Sequence, residues 1–104
     1  MPKCSSFRIL IADDQPSMLT LVRTSLRQIG CNNVTECADG SEALKHLSTW
    51  AVDLIISDLN MPKLDGLGLL SAVRRDAKLQ KTPFILLTGR GEDNLVKKDR
   101  KSVV

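Results

Sequence analysis

Asp13 and Asp14 directly follow the apolar run Ile9-Leu10-Ile11-Ala12. Asp58 closes the run that starts at Leu54-Ile55-Ile56, and Thr88 closes Phe84-Ile85-Leu86-Leu87. Three carboxylates held close repel one another where the dielectric is reduced, and a divalent cation relieves that repulsion. Hard oxygen donors suit magnesium, which keeps several waters and takes one or two carboxylates together with a phosphate. Each residue also has a plainer role when taken alone. Asp13-Asp14 before Pro16 would cap a helix, Asp58 would cap its own turn, and Thr88 is an ordinary strand residue. Their joint placement at three different strand ends is what points to chemistry.

Strands are needed to hold them there. Ile9–Ala12, Leu54–Ile56 and Phe84–Leu87 lack the in/out alternation of a half-exposed strand, and so fit a parallel sheet covered on both faces. Residues Asn33–Cys37 alternate and suit an edge strand. Helical patterns fill the gaps between strands. Met18, Val22, Leu26 and Ile29 recur at helical spacing, with Pro16 near the start and Gly30 just past the end. Asp39-Gly40-Ser41-Glu42 has the form of a capping box ahead of Ala43, Leu44 and Leu47. A third helix opens near Asp65-Gly66 with Leu67, Leu70, Val73 and Ala77 on its apolar face, and Lys81-Thr82-Pro83 breaks it. The order β-α-β-α-β-α-β predicts an α/β fold: a doubly wound parallel sheet with right-handed crossovers. In such a sheet ligands bind beyond the carboxyl ends of the strands, the edge where all four residues fall.

At 104 residues the chain holds one domain with one core. It has no apolar segment long enough for a bilayer and no signal-peptide block, so a cytoplasmic protein without membrane contact is expected. The net charge of +3 owes most of its excess to residues 90–104, where Arg90, Lys97, Lys98, Arg100 and Lys101 outnumber Glu92, Asp93 and Asp99. With 3% aromatics there is little to stack on bases, and no recognition motif is visible, so nucleic-acid binding is not expected. Cys4, Cys31 and Cys37 are odd in number and lack CxxC spacing, which predicts idle thiols rather than a disulfide or zinc framework. His46 and Trp50 read as structural or surface residues of the second helix.

The stretches "ILIADDQPSMLTLVRTSL", "ADGSEALKHL", "DLIISDLNMPKLDGLGLL" and "TPFILLTG" resemble the receiver domain of two-component response regulators, in register over residues 7–90. Asp-x-x-Met-Pro-x-x-Asp-Gly is the most specific piece. The resemblance implies a flavodoxin/CheY-like fold and a role in phosphorelay signalling of the chemotaxis type. Asp58 would be the phosphoacceptor, charged by a sensor histidine kinase or phosphotransfer protein. Asp13, Asp14, Asp58 and the backbone carbonyl of Asn60 would hold Mg²⁺, and the Thr88 hydroxyl would be the switch. The side chains of Asn60 and Arg90 would tune the lifetime of the acyl phosphate. Such a domain is not an enzyme on a separate substrate, though it promotes its own phosphorylation and dephosphorylation. Its output here would run through contacts with a downstream protein.

The family pattern continues past the fourth strand with a fifth strand ending in Lys-Pro and a fifth helix. Residues 91–104 instead read as an atypical basic tail with no Lys-Pro and no apolar run, so the fold is expected to be incomplete, and no coupling role is carried to Lys97, Lys98 or Lys101. An uncovered apolar fourth strand would be a pairing hazard, which predicts a homo-oligomer through that edge. Two other readings stand beside the receiver. One is a scaffold or dimerisation module that kept the fold and lost the switch. The other is a magnesium-dependent aspartyl phosphohydrolase, which usually places a second acid two residues after the nucleophile, where this chain has Asn60.

Overall fold

The computed structural model describes residues 6–87. In chain order the elements are β1 (Ile9–Ala12), α1 (Pro16–Gln28), β2 (Val34–Cys37), α2 (Gly40–Thr49), β3 (Leu54–Asp58), α3 (Gly66–Arg75) and β4 (Phe84–Leu87). The strands form one parallel sheet in the order β2-β1-β3-β4. That order is the one already known for flavodoxin and CheY-like folds. The expected doubly wound architecture is therefore present, with β2 at an edge as its alternation predicted. The expectations for a fifth strand, a fifth helix and the basic tail concern residues outside those described.

Strand β1 is buried at every position because it lies inside the sheet and is covered on both faces. Its side chains alternate between two cores. Leu10 and Ala12 join Ile55, Phe84 and residues of α2 and α3, including Leu47, Leu69 and Val73. Ile9 and Ile11 join Ile56 on the other face, under Leu19, Val22 and Leu26 of α1. Leu10, Ile55, Leu69 and Phe84 are fully buried, each worth roughly 1.5–3 kcal/mol of transfer free energy.

Local signals set the helix bounds. Pro16 occupies the first turn of α1, where its missing N–H costs nothing. The α2 capping box forms: Asp39 Oδ1 accepts from the Glu42 amide at 2.7 Å, and Glu42 Oε1 accepts from the Ala38 amide at 2.8 Å. Asp65 caps α3 by accepting from the Gly68 amide at 2.8 Å.

Expectations about four individual residues are corrected. Leu67 is exposed and Leu69 takes its place in the core, while Ala77 lies beyond α3. The helix stops because Asp76 turns extended and its side chain accepts from the Lys78 amide, a local turn that competes with the next helical bond. Ile29 lies past the end of α1 and is 71% exposed. Cys37 is a buried free thiol as expected, but Cys31, buried under α1, is disulfide-bonded rather than idle. Spacing rules read near neighbours in sequence and gave no sign of this bond.

Candidate functional site

Strand β3 is covered on both faces and ends on Asp58, whose Cα pairs with Leu87 of β4. Beside it, β1 ends at Ala12, so Asp13 leaves the sheet at the same rim. The Asp13 amide donates to the carbonyl of Cys37 at 3.0 Å, which ties this residue to the end of β2 as well. Asp14 follows at the surface. The three acids bring ligand oxygens within 4.8 Å of one another. Asp13 is buried, Asp58 half-buried and Asp14 exposed, so the cluster opens outward from the sheet.

Capping of α1 does not account for Asp13 and Asp14. The N-cap of α1 is Gln15, and no side chain caps that helix. Asp13 Oδ1 instead accepts from the Gln15 amide at 2.9 Å, which orients its carboxylate at the rim. Burial pushes the Asp13 carboxyl above its ordinary value of 3.8. The Gln15 bond opposes this, and the charges of Asp58 and Asp14 add to it. A group under that load gains from a cation. The donor set is all carboxylate oxygen, which fits Mg²⁺ in ligand type.

The loop after β3 forms the rest of the site. A shallow cavity of about 350 Å³ is lined by Asp14, Asn60, Met61, Pro62 and Asp65. The loop turns back at once: the Gly66 amide donates to the Leu59 carbonyl at 2.8 Å. Gly66 is required there, because a Cβ would overlap the Asp58 carbonyl oxygen and come within 2.6 Å of Leu86 Cδ1. Lys63 takes a left-handed backbone, φ 67°, to complete the turn, and its ammonium lies 3.8 Å from Asp39.

Asp13, Asp14 and Asp58 are thus brought together, and Asn60 lines the adjoining cavity. Thr88 and Arg90 lie outside the described residues. Sequence reading missed Ser57. Its hydroxyl, fully buried, donates to the carbonyl of Asp58 at 2.9 Å. The signal was a lone hydroxyl in an otherwise aliphatic strand, one residue before the acid.

A parallel α/β sheet with an acid triad at its carboxyl rim defines a class, and comparison with known proteins names it. The response regulator receiver domain family matches residues 9–102, and this chain belongs to that family. The match runs on through residues that the sequence pattern set apart as a tail. The Rhizobium etli protein named "Probable chemotaxis protein CheY" is 38% identical over 98 residues, covering 94% of this chain and 76% of the relative. The chemotaxis protein CheY of Pseudomonas aeruginosa is 36% identical over 85 residues, covering 82% and 68%. Among solved structures, the chemotaxis response regulator CheY4 of Vibrio cholerae superposes with a TM-score of 0.80 at 31% identity, covering 92% of this chain and 79% of that one. The receiver domain of Francisella response regulator 1452 gives 0.79 at 31% identity, covering 92% and 77%. Membership places the chain in two-component signalling, and its similarity to CheY proteins is of the chemotaxis type. Among the described residues no helix is long and apolar enough to cross a membrane.

Proposed function

We propose that Asp58 accepts a phosphoryl group from a sensor histidine kinase or phosphotransfer protein in the cytoplasm, and that the phosphorylated chain acts by binding a downstream protein. The observation that carries this reading is the convergence of Asp13, Asp14 and Asp58 at the ends of adjacent strands. Asp13, Asp14, Asp58 and the Asn60 carbonyl would hold Mg²⁺. The ion, when bound, supplies charge neutralisation for the transferring group. The chain's own part is positioning. An Asp58 oxygen attacks phosphorus in line, forming an O–P bond as the P–N bond of the donor histidine breaks. Strand β3 and the turn through Gly66 hold Asp58 within the small tolerance such transfer allows. Thr88, directly after β4, carries the switch hydroxyl in this reading. In this reading the chain promotes its own phosphorylation and dephosphorylation rather than acting on a separate substrate.

The test is incubation with Mg²⁺ and acetyl phosphate, followed by intact-mass measurement. A gain of one phosphoryl group is expected, absent in Asp58→Ala and Asp58→Asn and absent with EDTA. An unlabelled wild type would favour the non-switching scaffold, and sustained turnover of a phosphomonoester would favour the hydrolase.

A second copy of the chain is a further partner in this reading. Strand β4 is the outermost strand on its side among the described residues, and Ile85 and Leu87 on it are half-buried. Pairing through that edge would cover them.

A further inference from the structure

We propose that Ser57 is a positioning residue for phosphoryl transfer, acting on the peptide that joins the phosphoacceptor to its loop. This rests on Asp58 being the acceptor.

Ser57 is 0% exposed. Its Cα neighbours across the sheet are Ala12 and Leu86, both members of the apolar core under α2 and α3. A hydroxyl in such surroundings is costly unless it is bonded. Its bond goes to the carbonyl oxygen of Asp58, at 2.9 Å. The other end of the same peptide unit is also held, since the Leu59 amide donates to the Leu87 carbonyl at 3.0 Å. The plane between Asp58 and Leu59 is therefore gripped at C=O by a side chain and at N–H by the neighbouring strand. The next carbonyl, that of Leu59, accepts from Gly66 at 2.8 Å, and the Gly66 Cα packs against the Asp58 carbonyl. Three hydrogen bonds and one packing contact thus converge on the two peptides that leave the acceptor. Rotation of the first would tilt the Asp58 side chain and shift Asn60 together. Of these contacts only the Ser57 bond comes from a side chain, so it can be removed without altering the strand pairing.

Wild type, Ser57→Ala, Ser57→Cys and Ser57→Thr would be compared with Ile55→Val, a change on the same face of β3 away from the acid. The readout is the rate of Asp58 labelling against acetyl phosphate concentration at saturating Mg²⁺, below every melting transition. Ser57→Ala is expected to lower the limiting rate about tenfold, a loss in keeping with slight misplacement of a reacting atom. The half-saturating donor concentration should not change. Ser57→Thr keeps the hydroxyl and should retain most of the rate. Ser57→Cys keeps the packing with a weaker donor and should fall between Thr and Ala, which decides the matter even if the alanine variant does not fold. Ile55→Val should label like wild type. Equal limiting rates for wild type and the folded Ala or Cys variant overturn the proposal, as does an equal fall in Ile55→Val. A wild type that takes no phosphoryl group overturns the functional reading and this proposal with it.

Discussion

The amide of Gly40 donates to the carbonyl of Leu64 at 3.0 Å, joining the first residue of α2 to the loop that follows β3. The contact is closer than a side chain permits. A Cβ on Gly40 would overlap the Leu64 carbonyl oxygen and reach Leu64 Cβ at 3.0 Å.

Gly40→Ala should therefore push the loop away from α2. Alanine gains up to about 1 kcal/mol of helix propensity over glycine, but crowding a packed site costs about 1–3 kcal/mol, so crowding wins. The variant should lose roughly 1–2 kcal/mol in denaturant unfolding and label more slowly with acetyl phosphate. An unchanged midpoint and rate would show that the loop moves at no cost.

The acids at the rim predict a gain in stability from losing one of them. The folded Asp13 carboxyl is raised above its ordinary 3.8, so between those two values the native state binds more protons than the unfolded chain. Stability of the metal-free protein then falls as pH rises from the ordinary value through the raised one. Asp13→Asn keeps an oxygen for the Gln15 amide and removes the charge. In EDTA at pH 7 it should be more stable than wild type by roughly 1 kcal/mol, the scale of one relieved carboxylate repulsion. Added Mg²⁺ should reverse the ranking by stabilising wild type alone. Chemical unfolding with and without the ion measures both effects.

The Cys37 thiol is pushed up to about 11, first by burial and then by the charges of Glu42 and Asp39. It stays neutral across the range where free thiols react. Native protein at pH 8 should resist iodoacetamide at this position and be alkylated once unfolded, as peptide mass mapping will show. The raised value also means that stability falls between pH 9.0 and about 11.

At Lys63 two small effects oppose each other. Its left-handed backbone costs about 1–2 kcal/mol for a residue with a Cβ. Its ion pair with Asp39, at 3.8 Å on a side chain 72% exposed, contributes about 0.2–1 kcal/mol. Lys63→Gly removes both, and glycine's greater freedom in the unfolded chain takes back part of the gain. The variant should come out more stable by about 0.5 kcal/mol. A destabilised variant would mean that the pair to Asp39 outweighs the strain.

If a second copy covers β4, light scattering should give a mass above that of one chain at high micromolar concentration. Leu87→Lys, which places a charge on that edge, should return it to monomer. A wild type that stays monomeric at that concentration removes the pairing.

Much of this was readable from local pattern. Apolar runs named three strands and alternation named β2, while Asp39 and Asp65 marked helix starts by accepting from free amides and Pro16 by lacking the N–H that would go unpaired. Asp13, Asp14 and Asp58 were legible because strand ends in a parallel sheet share one rim. What escaped depends on contacts distant in sequence. Nothing near Gly40 reveals that Leu64 presses on it, and nothing near Cys31 reveals its disulfide. The third helix was placed correctly but rotated in register, because Leu67, Leu69 and Leu70 offer overlapping apolar faces and only the sheet decides among them. Ser57 was passed over because a hydroxyl in a strand gives no hint of where its proton points.

The burial of β1 on both faces has a bearing on persistence. Amides in an interior strand of that kind exchange with solvent through opening of the whole molecule, while helix ends and outer strands open more cheaply. Asp13 and Asp14 follow directly from that last part to let go. Fraying elsewhere can come and go while the paired acids keep their station, so the domain can be pliable at its periphery and still present the same anchorage at every encounter.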